Sequence, residues 1–246
     1  MKLAPGTIIS NYEIISLLGE GGMGEVYLAK ENLLDRKVAI KRLNPILTSD
    51  QAFADRFVNE AHIQAKLLHS NIVGLYNFFI DRGTYYMVLE YAEGINLREL
   101  ITRTGPIVED RTLHIFRQII AALAFAHEKQ IVHRDIKPSN IIIGVGDSVK
   151  ILDFGIARLL SDQHLTRTGS KLGTLFYMSP EQVMAVKDID HRSDIYSAGV
   201  VLFEMLSGRL PFDRNTDSDY VIQHAIVSAE IPDPRTFYPH VSETTV

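Results

Sequence analysis

Alternating apolar and polar residues dominate the first part of the chain. Residues 12–30 and 37–43 follow this pattern around a glycine-rich stretch, and residues 72–79 and 85–90 return to it. A period of two gives a strand one apolar and one polar face. The pattern therefore predicts a strand hairpin, a third strand and, further along the chain, two more strands.

A helical period interrupts these strands. The spacing predicts a helix over residues 52–68 with one buried face. The residues expected on that face are Phe53, Phe57, Ala61 and Leu68. Thr48 and Gln51 fit a capping box at the start of this helix.

The period changes after Gly94. Apolar residues at helical spacing predict a long helix that ends near Lys129. Its apolar face is expected to carry Leu113, Phe116, Ile120, Leu123 and His127. Two short strands are predicted at residues 141–143 and 149–152, and a helix that is buried on most sides at residues 195–206.

These elements predict an α+β fold with two lobes. The first lobe, residues 12–91, is small and β-rich with one helix, and residues 92–94 form a hinge. Residues 95–246 form a larger, mainly helical lobe. A length of 246 residues suits one large domain or two closely joined lobes.

Composition and charge narrow the function classes. The formal net charge of −5 gives no basic footprint for nucleic acid, and no dense Lys/Arg run indicates an anionic membrane. The chain has no cysteine, which excludes disulfides, a thiolate metal site and a cysteine nucleophile. No apolar run is long enough to span a bilayer, and the start lacks the features of a signal peptide. We expect a soluble chain in the cytoplasm, although a longer parent chain could carry a membrane anchor.

A glycine-rich loop is the first candidate for chemistry, because glycines let a backbone approach phosphates closely. Its candidate nucleotide-binding residues are Gly19, Glu20, Gly21, Gly22, Met23 and Gly24. The motif alone leaves a plain hairpin turn and a phosphate loop equally open. A dinucleotide-binding fold would need a helix that begins at Gly24, whereas residues 25–28 favour a strand. A loop that covers a nucleotide between two strands is therefore the better interpretation.

Lys41 lies in the predicted third strand, on the same face as Ala39. A lone lysine in a strand is usually a solvated edge residue. Glu60, however, lies near the buried face of the predicted helix, where an unpaired carboxylate would be costly. An ion pair between Lys41 and Glu60 would satisfy both charges and hold the ammonium at the phosphates of a nucleotide.

The segment 131–140 carries the strongest candidates for chemistry. Asp135 can accept a hydroxyl proton, Lys137 can neutralise a phosphoryl group in transfer, and Asn140 offers an amide oxygen to a metal. Asp153 supplies a carboxylate for the same metal, and hard oxygen ligands suit Mg²⁺. His133 is better interpreted as a packed imidazole that braces the loop than as a metal ligand, since no second His or Cys lies at ligand spacing.

These motifs follow one another in the order of the protein-kinase signature set. They are the glycine loop, Val-Ala-Ile-Lys at residues 38–41, His-Arg-Asp at 133–135, Asp-Phe-Gly at 153–155 and Ser-Pro-Glu at 179–181. The chain resembles a bacterial eukaryotic-like serine/threonine protein kinase catalytic domain over about residues 10–240. The resemblance implies that the chain uses ATP and Mg²⁺ to phosphorylate protein Ser/Thr hydroxyls, with Asp135 as the catalytic base.

The resemblance also implies an adenine site and two structural roles. Leu89 would lie at the back of the adenine site, with Val26 and Ala39 over the ring and the backbones of Glu90 and Ala92 at its edge. Asp194 is expected to brace the backbone of the catalytic loop. The alternative is that Asp194 is an exposed residue at the start of a helix. Glu181 is expected to pair with an arginine in later helices, and the larger lobe is therefore expected to be incomplete at its C-terminal end.

The segment 153–181 is predicted to be a phosphorylation switch. It is rich in hydroxyl side chains, and the main sites are expected to be Thr166 and Thr168. Arg134, directly before Asp135, invites a phosphate partner. A single bond would not bias the segment enough, so a second cation is expected, with Arg158 and Arg167 as alternatives.

Other function classes remain alternatives at this point. An ATP-binding pseudokinase-like scaffold usually lacks one of the catalytic elements, and none is missing here. A small-molecule phosphotransferase normally lacks the glycine loop and Ser-Pro-Glu. The expected partners are ATP and Ser/Thr proteins, with a second copy of the chain for autophosphorylation and no nucleic acid.

Overall fold

Contacts between Cα atoms divide the chain into two units. The computed structural model describes residues 2–21, 24–47, 50–154, 175–212 and 218–245. The first unit comprises Met1–His69 and Val73–Ala92, and the second comprises Ser70–Ile72 and Glu93–Val246.

Strands make up most of the first unit. They are β1 (Ile8–Ile9), β2 (Tyr12–Gly21), β3 (Gly24–Glu31), β4 (Arg36–Leu43), β5 (Leu75–Asp81) and β6 (Thr84–Glu90), with one helix, α1 (Gln51–Gln64), between β4 and β5. Within the described residues these six strands form one antiparallel sheet in the order β1-β2-β3-β4-β6-β5. The hairpin and the later strands agree with the alternating sequence pattern.

The two faces of this sheet differ. Tyr27, Ile40 and Val88 pair across β3, β4 and β6 and are fully buried, so they form the core on one face. Strand alternation turns Ala39 and Lys41 to the opposite face. One face of the sheet therefore stabilises the first unit, and the other carries the side chains that were predicted to bind a nucleotide.

Helix α1 differs from its prediction at both ends. It begins at Gln51, and Asp50 is its N-cap, with the side chain accepting a hydrogen bond from the backbone N–H of Ala52 at 3.0 Å. The predicted cap, Thr48, lies outside the described residues. The helix ends at Gln64, and Leu68 is 84% exposed, so its assignment to the buried face was wrong. Leu68 lies beyond the last turn, where the helical period no longer sets its direction.

The second unit is mainly helical. Its helices are α2 (Leu97–Thr104), α3 (Glu109–Glu128), α4 (Pro180–Val183), α5 (Arg192–Ser207) and α6 (Asp219–Ser228), with 3₁₀ turns at Pro138–Asn140, Val145–Asp147 and Pro234–Thr236. Its strands β7 (Ile95–Asn96), β8 (Ile141–Ile143) and β9 (Val149–Ile151) form a small antiparallel sheet. The fold class is α+β, as predicted.

The long helix α3 is present, but its buried face is offset from the predicted one. Ile115, Ile119 and Ala122 are fully buried, and α3 packs against α5. Ile120, predicted on the buried face, is 39% exposed. Apolar residues are contiguous around residue 120, so the sequence allows two faces that differ by one position, and packing selects one of them.

Helix α2 has no counterpart among the predicted elements. Asn96 caps it by accepting a hydrogen bond from the backbone N–H of Glu99 at 2.8 Å, and Gly105, with φ of 70°, ends it. An asparagine N-cap and a glycine just after the last turn are recognised start and stop signals. The helix spans too few turns for its hydrophobic period to stand out.

Candidate functional site

The glycine loop lies at the β2–β3 turn of the first unit. Gly21 pairs with Gly24 in the ladder, while Gly22 and Met23 lie outside the described residues. A Cβ added at Gly24 would lie 1.9 Å from the carbonyl oxygen of Arg42, so the close approach of β4 requires glycine there. A Cβ added at Gly21 would meet no atom within 4 Å. Packing therefore explains the glycine at position 24 and does not explain the one at position 21.

Gly19 and Glu20 lie on the same turn. Gly19 pairs with Val26, and a Cβ added at Gly19 would also meet no atom within 4 Å. The Glu20 carboxylate accepts a hydrogen bond from Lys2 Nζ at 2.5 Å, and both side chains are exposed. The loop thus keeps open space above its backbone at two of its glycines.

Four predicted nucleotide-binding side chains share one face of the sheet. Val26 is opposite Lys41 across β3 and β4, and Ala39 is opposite Leu89 across β4 and β6. Directly opposed residues of an antiparallel pair point to the same face. Val26 and Ala39 are partly exposed, whereas Leu89 is 8% exposed. The register therefore places two accessible apolar side chains beside the lysine.

The predicted ion pair between Lys41 and Glu60 is present. Lys41 Nζ donates to Glu60 Oε1 across β4 and α1. The Lys41 side chain is 15% exposed and that of Glu60 is 6% exposed. Because both side chains are largely buried, removing either one would leave the other as an uncompensated buried charge and destabilise the fold. The pair fixes the position of the ammonium on the face described above.

Glu90 and Ala92 lie at the end of the first unit. The backbone N–H of Glu90 donates to the carbonyl oxygen of Gly74 at 2.8 Å, and the Glu90 carboxylate accepts from the backbone N–H of Gly74 at 3.2 Å. Ala92 is the last residue of this unit. The hydrogen bonds to Gly74 fix the backbone at the end of β6.

The second unit brings together two predicted catalytic side chains, Asp135 and Lys137, and one predicted metal ligand, Asn140. Asp135 Oδ2 accepts hydrogen bonds from Lys137 Nζ at 2.8 Å and from Asn140 Nδ2 at 3.1 Å. Asn140 Nδ2 also donates to the backbone carbonyl oxygen of Asp135 at 2.8 Å. The 3₁₀ turn that begins at Pro138 returns the chain, so that Asn140 faces back to Asp135. A carboxylate oriented by an ammonium and an amide is suited to accept a proton at a fixed position.

The two predicted metal ligands lie close along neighbouring backbones. The carbonyl oxygen of Asn140 accepts from the backbone N–H of Leu152 at 2.9 Å, and Asp153 follows Leu152 directly. Since the Asn140 amide nitrogen is used by Asp135, its side-chain oxygen is the end that a metal could use. Within the described ranges no group of three or more His, Cys, Asp or Glu residues forms a metal site. An amide and a carboxylate oxygen would need ligands from a substrate or water to complete the preferred shell of Mg²⁺.

His133 is packed and hydrogen-bonded at both ring nitrogens. Its side chain is fully buried, Nε2 bonds the carbonyl oxygen of Leu152 at 2.9 Å, and Nδ1 accepts from the backbone N–H of Asp135 at 3.2 Å. The ring also contacts the Phe154 ring, with centroids 4.6 Å apart. These bonds require a neutral ring with its proton on Nε2. His133 braces the loop, and its nitrogens are not placed to bind a metal.

Asp194 holds the backbone of the same loop. It is fully buried in α5, Oδ2 accepts from the backbone N–H of His133 at 2.8 Å, and Oδ1 accepts from that of Arg134 at 2.7 Å. His127 Nε2 bonds Oδ2 at 2.8 Å. His127 was predicted only as part of the apolar face of α3; its bond to Asp194 was not predicted, because the two residues are 67 positions apart and on different helices.

Arg134 carries a partly unpaired cation. Its backbone has φ of 66°, and Nη2 donates to the carbonyl oxygen of Ile189 at 3.4 Å. In the described part of the chain, Nε and Nη1 are buried without a hydrogen-bond partner. Burial lowers the pKa of the guanidinium, and the nearby Asp194 carboxylate only partly offsets this. The predicted sites Thr166 and Thr168, the candidate cations Arg158 and Arg167, and Gly155 lie outside the described residues.

Glu181 has a partner close in sequence. Its Oε1 accepts a hydrogen bond from Ser193 Oγ at 2.5 Å, and Ser193 Oγ in turn accepts from Ser179 Oγ at 3.1 Å. Burial acts to raise the pKa of Glu181, but the hydrogen bonds outweigh it and leave the pKa below its usual value. Glu181 is therefore satisfied within the described residues, and an arginine from a later helix would be an additional partner.

Across the described ranges, none of the helices combines the length and apolar content needed to cross a bilayer.

The chain is similar to known proteins over nearly its whole length. The family described as "Protein kinase domain" matches residues 12–244. The serine/threonine-protein kinase PrkC of Bacillus subtilis is 44% identical over 240 residues, which cover 96% of this chain and 36% of PrkC. The serine/threonine-protein kinase PknB of Mycobacterium tuberculosis is 39% identical over 230 residues, which cover 89% of this chain and 36% of PknB. The chain thus spans about a third of the length of these curated relatives.

A solved structure has the same fold. The crystal structure of the Mycobacterium tuberculosis PknI kinase domain, a point mutant, aligns with a TM-score of 0.70 and 27% sequence identity. The alignment covers 97% of this chain and 85% of the PknI chain.

Proposed function

The chain belongs to the protein kinase domain family, and from this membership we propose that it is a serine/threonine protein kinase that uses ATP and Mg²⁺. The substrates would be Ser and Thr hydroxyls of proteins. The relatives are named serine/threonine-protein kinases. Lys137 matches the serine/threonine form of the catalytic loop in the family that the chain resembles.

One observation carries the proposal: Lys137 and Asn140 converge on a single oxygen of Asp135. A purely structural aspartate would not need a cationic group in addition to a neutral amide donor at the same oxygen. Phosphoryl transfer, by contrast, requires a positioned proton acceptor and positive charge beside it, because the protein contributes mainly positioning and charge stabilisation.

Each charged residue would have a distinct task. Asp135 would orient the acceptor hydroxyl and take its proton, and Lys137 would neutralise the oxygens of the phosphoryl group in transfer. Lys41, held by Glu60, would contact the α- and β-phosphates. The reaction breaks the bond between the γ-phosphorus and its bridging oxygen and forms a bond to the acceptor oxygen, with ADP as the leaving group.

Asn140 and Asp153 would hold the metal. Their oxygens are hard ligands that suit Mg²⁺, and the Asn140–Leu152 backbone bond keeps the two residues adjacent. Held by these two residues, Mg²⁺ would neutralise the negative charge that develops on the phosphoryl group during transfer.

The first unit would bind the nucleotide. Val26, Ala39 and Leu89 offer apolar contact to the adenine ring, and the backbones of Glu90 and Ala92 offer its hydrogen bonds. Gly19, Glu20 and Gly21, together with Gly22, Met23 and Gly24, would form the phosphate loop. The open space above Gly19 and Gly21 favours this role, because a side chain there would keep phosphates away from the backbone N–H groups.

Phosphorylation at Thr166 and Thr168 would regulate the activity. The buried Nε and Nη1 of Arg134 offer two donors of the kind that a phosphate accepts. Autophosphorylation would involve a second copy of the chain as substrate. The cytoplasm, where ATP is available, is the proposed compartment.

The test is a phosphotransfer assay with Mg²⁺-ATP and a generic basic protein, followed by mass spectrometry of both proteins. Phosphoserine and phosphothreonine should form, and ADP should appear in equal amount. Binding of ATP without transfer would instead support the alternative, a pseudokinase-like scaffold. Transfer only to small molecules would contradict the protein-kinase assignment.

A further inference from the structure

A side chain outside the predicted site contacts the backbone next to the proposed base. Gln182 lies in α4, and its Nε2 donates to the backbone carbonyl oxygen of Arg134 at 2.9 Å. Its Oε1 accepts from the backbone N–H of Ser179 at 3.0 Å, which completes the capping box of α4. The two ends of one amide thus serve different parts of the chain.

The residue that Gln182 contacts has an unfavourable backbone conformation. Arg134 has φ of 66°, a region that non-glycine residues occupy only where the surroundings determine it. Its N–H donates to Asp194 Oδ1 at 2.7 Å and its carbonyl oxygen accepts from Gln182. Side chains from two different helices therefore fix both backbone polar groups of Arg134.

The contact bears directly on Asp135. The carbonyl of Arg134 and the N–H of Asp135 belong to one planar peptide group. Gln182 holds the oxygen of this group, and His133 Nδ1 accepts from its N–H at 3.2 Å. A planar group that is held at both ends sets the position of the next Cα, and hence the direction in which the Asp135 carboxylate points.

We propose that Gln182 is a positioning residue for Asp135, an inference that rests on the proposed kinase function. Its amide nitrogen holds the Arg134–Asp135 peptide in the orientation that points the base at the acceptor hydroxyl. The capping role of its amide oxygen is separate and contributes to the stability of α4. The proposal concerns only the nitrogen.

The variant Gln182→Glu separates the two roles. A glutamate at this position of a capping box still accepts from the backbone N–H of Ser179, so α4 keeps its cap. The second carboxylate oxygen, however, faces the carbonyl oxygen of Arg134 and cannot donate to it. Because α4 keeps its cap and only one hydrogen bond of about 1 kcal/mol is lost, the midpoint of thermal unfolding should fall by only about 2–4 °C.

Three measurements on Gln182→Glu test the proposal. The kcat for phosphotransfer should fall about tenfold, since even a 1 Å misplacement of a catalytic group can cost about 10²-fold. The KM for ATP should stay within about twofold, because the lost interaction acts on the transition state. Amide hydrogen exchange at Asp135 should become about fivefold faster, the factor that corresponds to one hydrogen bond of about 1 kcal/mol.

Two further variants complete the experiment. Gln51→Glu makes the same chemical change at the first residue of α1, where the side chain is exposed, and should leave all three quantities at parental values. If Gln182→Glu does not fold, Gln182→Met takes its place in the same measurements. It lacks the donor and adds no charge, and the thermal midpoint reports the loss of the cap on α4 that this variant also causes.

A kcat within about twofold of the parent would overturn the proposal, and so would unchanged exchange at the Asp135 amide. If the parent itself transfers no phosphate, the proposed function fails. In that case the exchange rate still decides whether Gln182 holds this peptide.

Discussion

Lys41 is the residue at which stability and chemistry are hardest to separate. It neutralises Glu60, and both side chains are largely buried. The variant Lys41→Met should lower kcat/KM by about 10²-fold or more, because it removes the proposed phosphate contact and leaves the Glu60 carboxylate unpaired. Steady-state kinetics measures this effect.

Lys37→Met is the matched control for that prediction. Lys37 lies on the same strand, is exposed, and has no proposed contact with the nucleotide. Its variant should keep parental kinetics. A Lys41→Met variant with kcat/KM within about twofold of the parent would remove Lys41 from the mechanism.

Some contacts between residues could be predicted from the sequence because charged groups are buried, and others could not be predicted. The Lys41–Glu60 pair follows from the sequence, since an acidic residue on a buried helix face needs a cation and the strand supplies one. The bonds of Gln182 to Arg134 and of His127 to Asp194 do not, because they join positions 48 and 67 residues apart. The local sequence around Gln182 and His127 does not indicate which distant residue each of them contacts.

The β2–β3 hairpin gives a test at the level of the element. Gly24→Ala places a methyl group 1.9 Å from the Arg42 carbonyl oxygen, and overpacking of this kind typically costs about 1–3 kcal/mol. Gly21→Ala meets no atom within 4 Å and should leave the thermal midpoint unchanged. It should instead weaken ATP binding, because the methyl group enters the space proposed for phosphate.

Thermal melting and ATP titration of both variants check this contrast. The alanine at position 21 acts as the control for the one at position 24, since both add the same methyl group to the same hairpin. Equal losses of stability would show that the loop glycines serve folding alone. Unchanged ATP affinity in Gly21→Ala would argue against a phosphate at this turn.

The segment that follows Asp153 gives a second prediction at this level. The double variant Thr166→Ala/Thr168→Ala should lower kcat at least about tenfold, since one charge-assisted hydrogen bond is worth about 1.5–3 kcal/mol and 1.36 kcal/mol is tenfold in rate. The reason is the pair of buried Arg134 donors that a phosphothreonine could satisfy. Kinetics of the autophosphorylated protein measures the loss.

A double-mutant cycle provides the control. In an Arg134→Ala background the same threonine substitutions should have a smaller effect, because the phosphate would have lost one of its two expected cations. Full activity of the threonine variant, or additive losses in the cycle, would contradict the switch. Either result would leave the kinase assignment intact.

At the level of elements, the long and strongly periodic segments were predicted well, and so were the short strands β8 and β9, whereas the short helix α2 was missed. The hairpin, α3 and α5 follow from periods that persist over many residues. Helix α2 was not predicted, because a helix of eight residues shows little period, although Asn96 and Gly105 mark its ends. The offset face of α3 shows that contiguous apolar residues predict a helix but do not determine which of its faces is buried.

Binding of the nucleotide should stabilise the whole protein against thermal unfolding. Mg²⁺-ATP at 100 times its Kd should stabilise the folded protein by about 2.7 kcal/mol. For a chain of this size each kcal/mol raises the thermal midpoint by about 2–4 °C, so the shift should be about 5–10 °C. Differential scanning fluorimetry measures it, with CTP as the nucleotide control. Equal shifts with both nucleotides would contradict a site built for adenine.

The central claim is that Asp135 is the base of a protein kinase, and the Asp135→Asn variant tests it most directly. The measurement is the rate of phosphate transfer to Ser/Thr protein substrates, with Mg²⁺-ATP affinity determined in parallel by calorimetry. The account predicts a rate about 10²–10⁴-fold below the parent with ATP affinity nearly unchanged, since an amide cannot take the hydroxyl proton. Transfer at the parental rate by Asp135→Asn would contradict it.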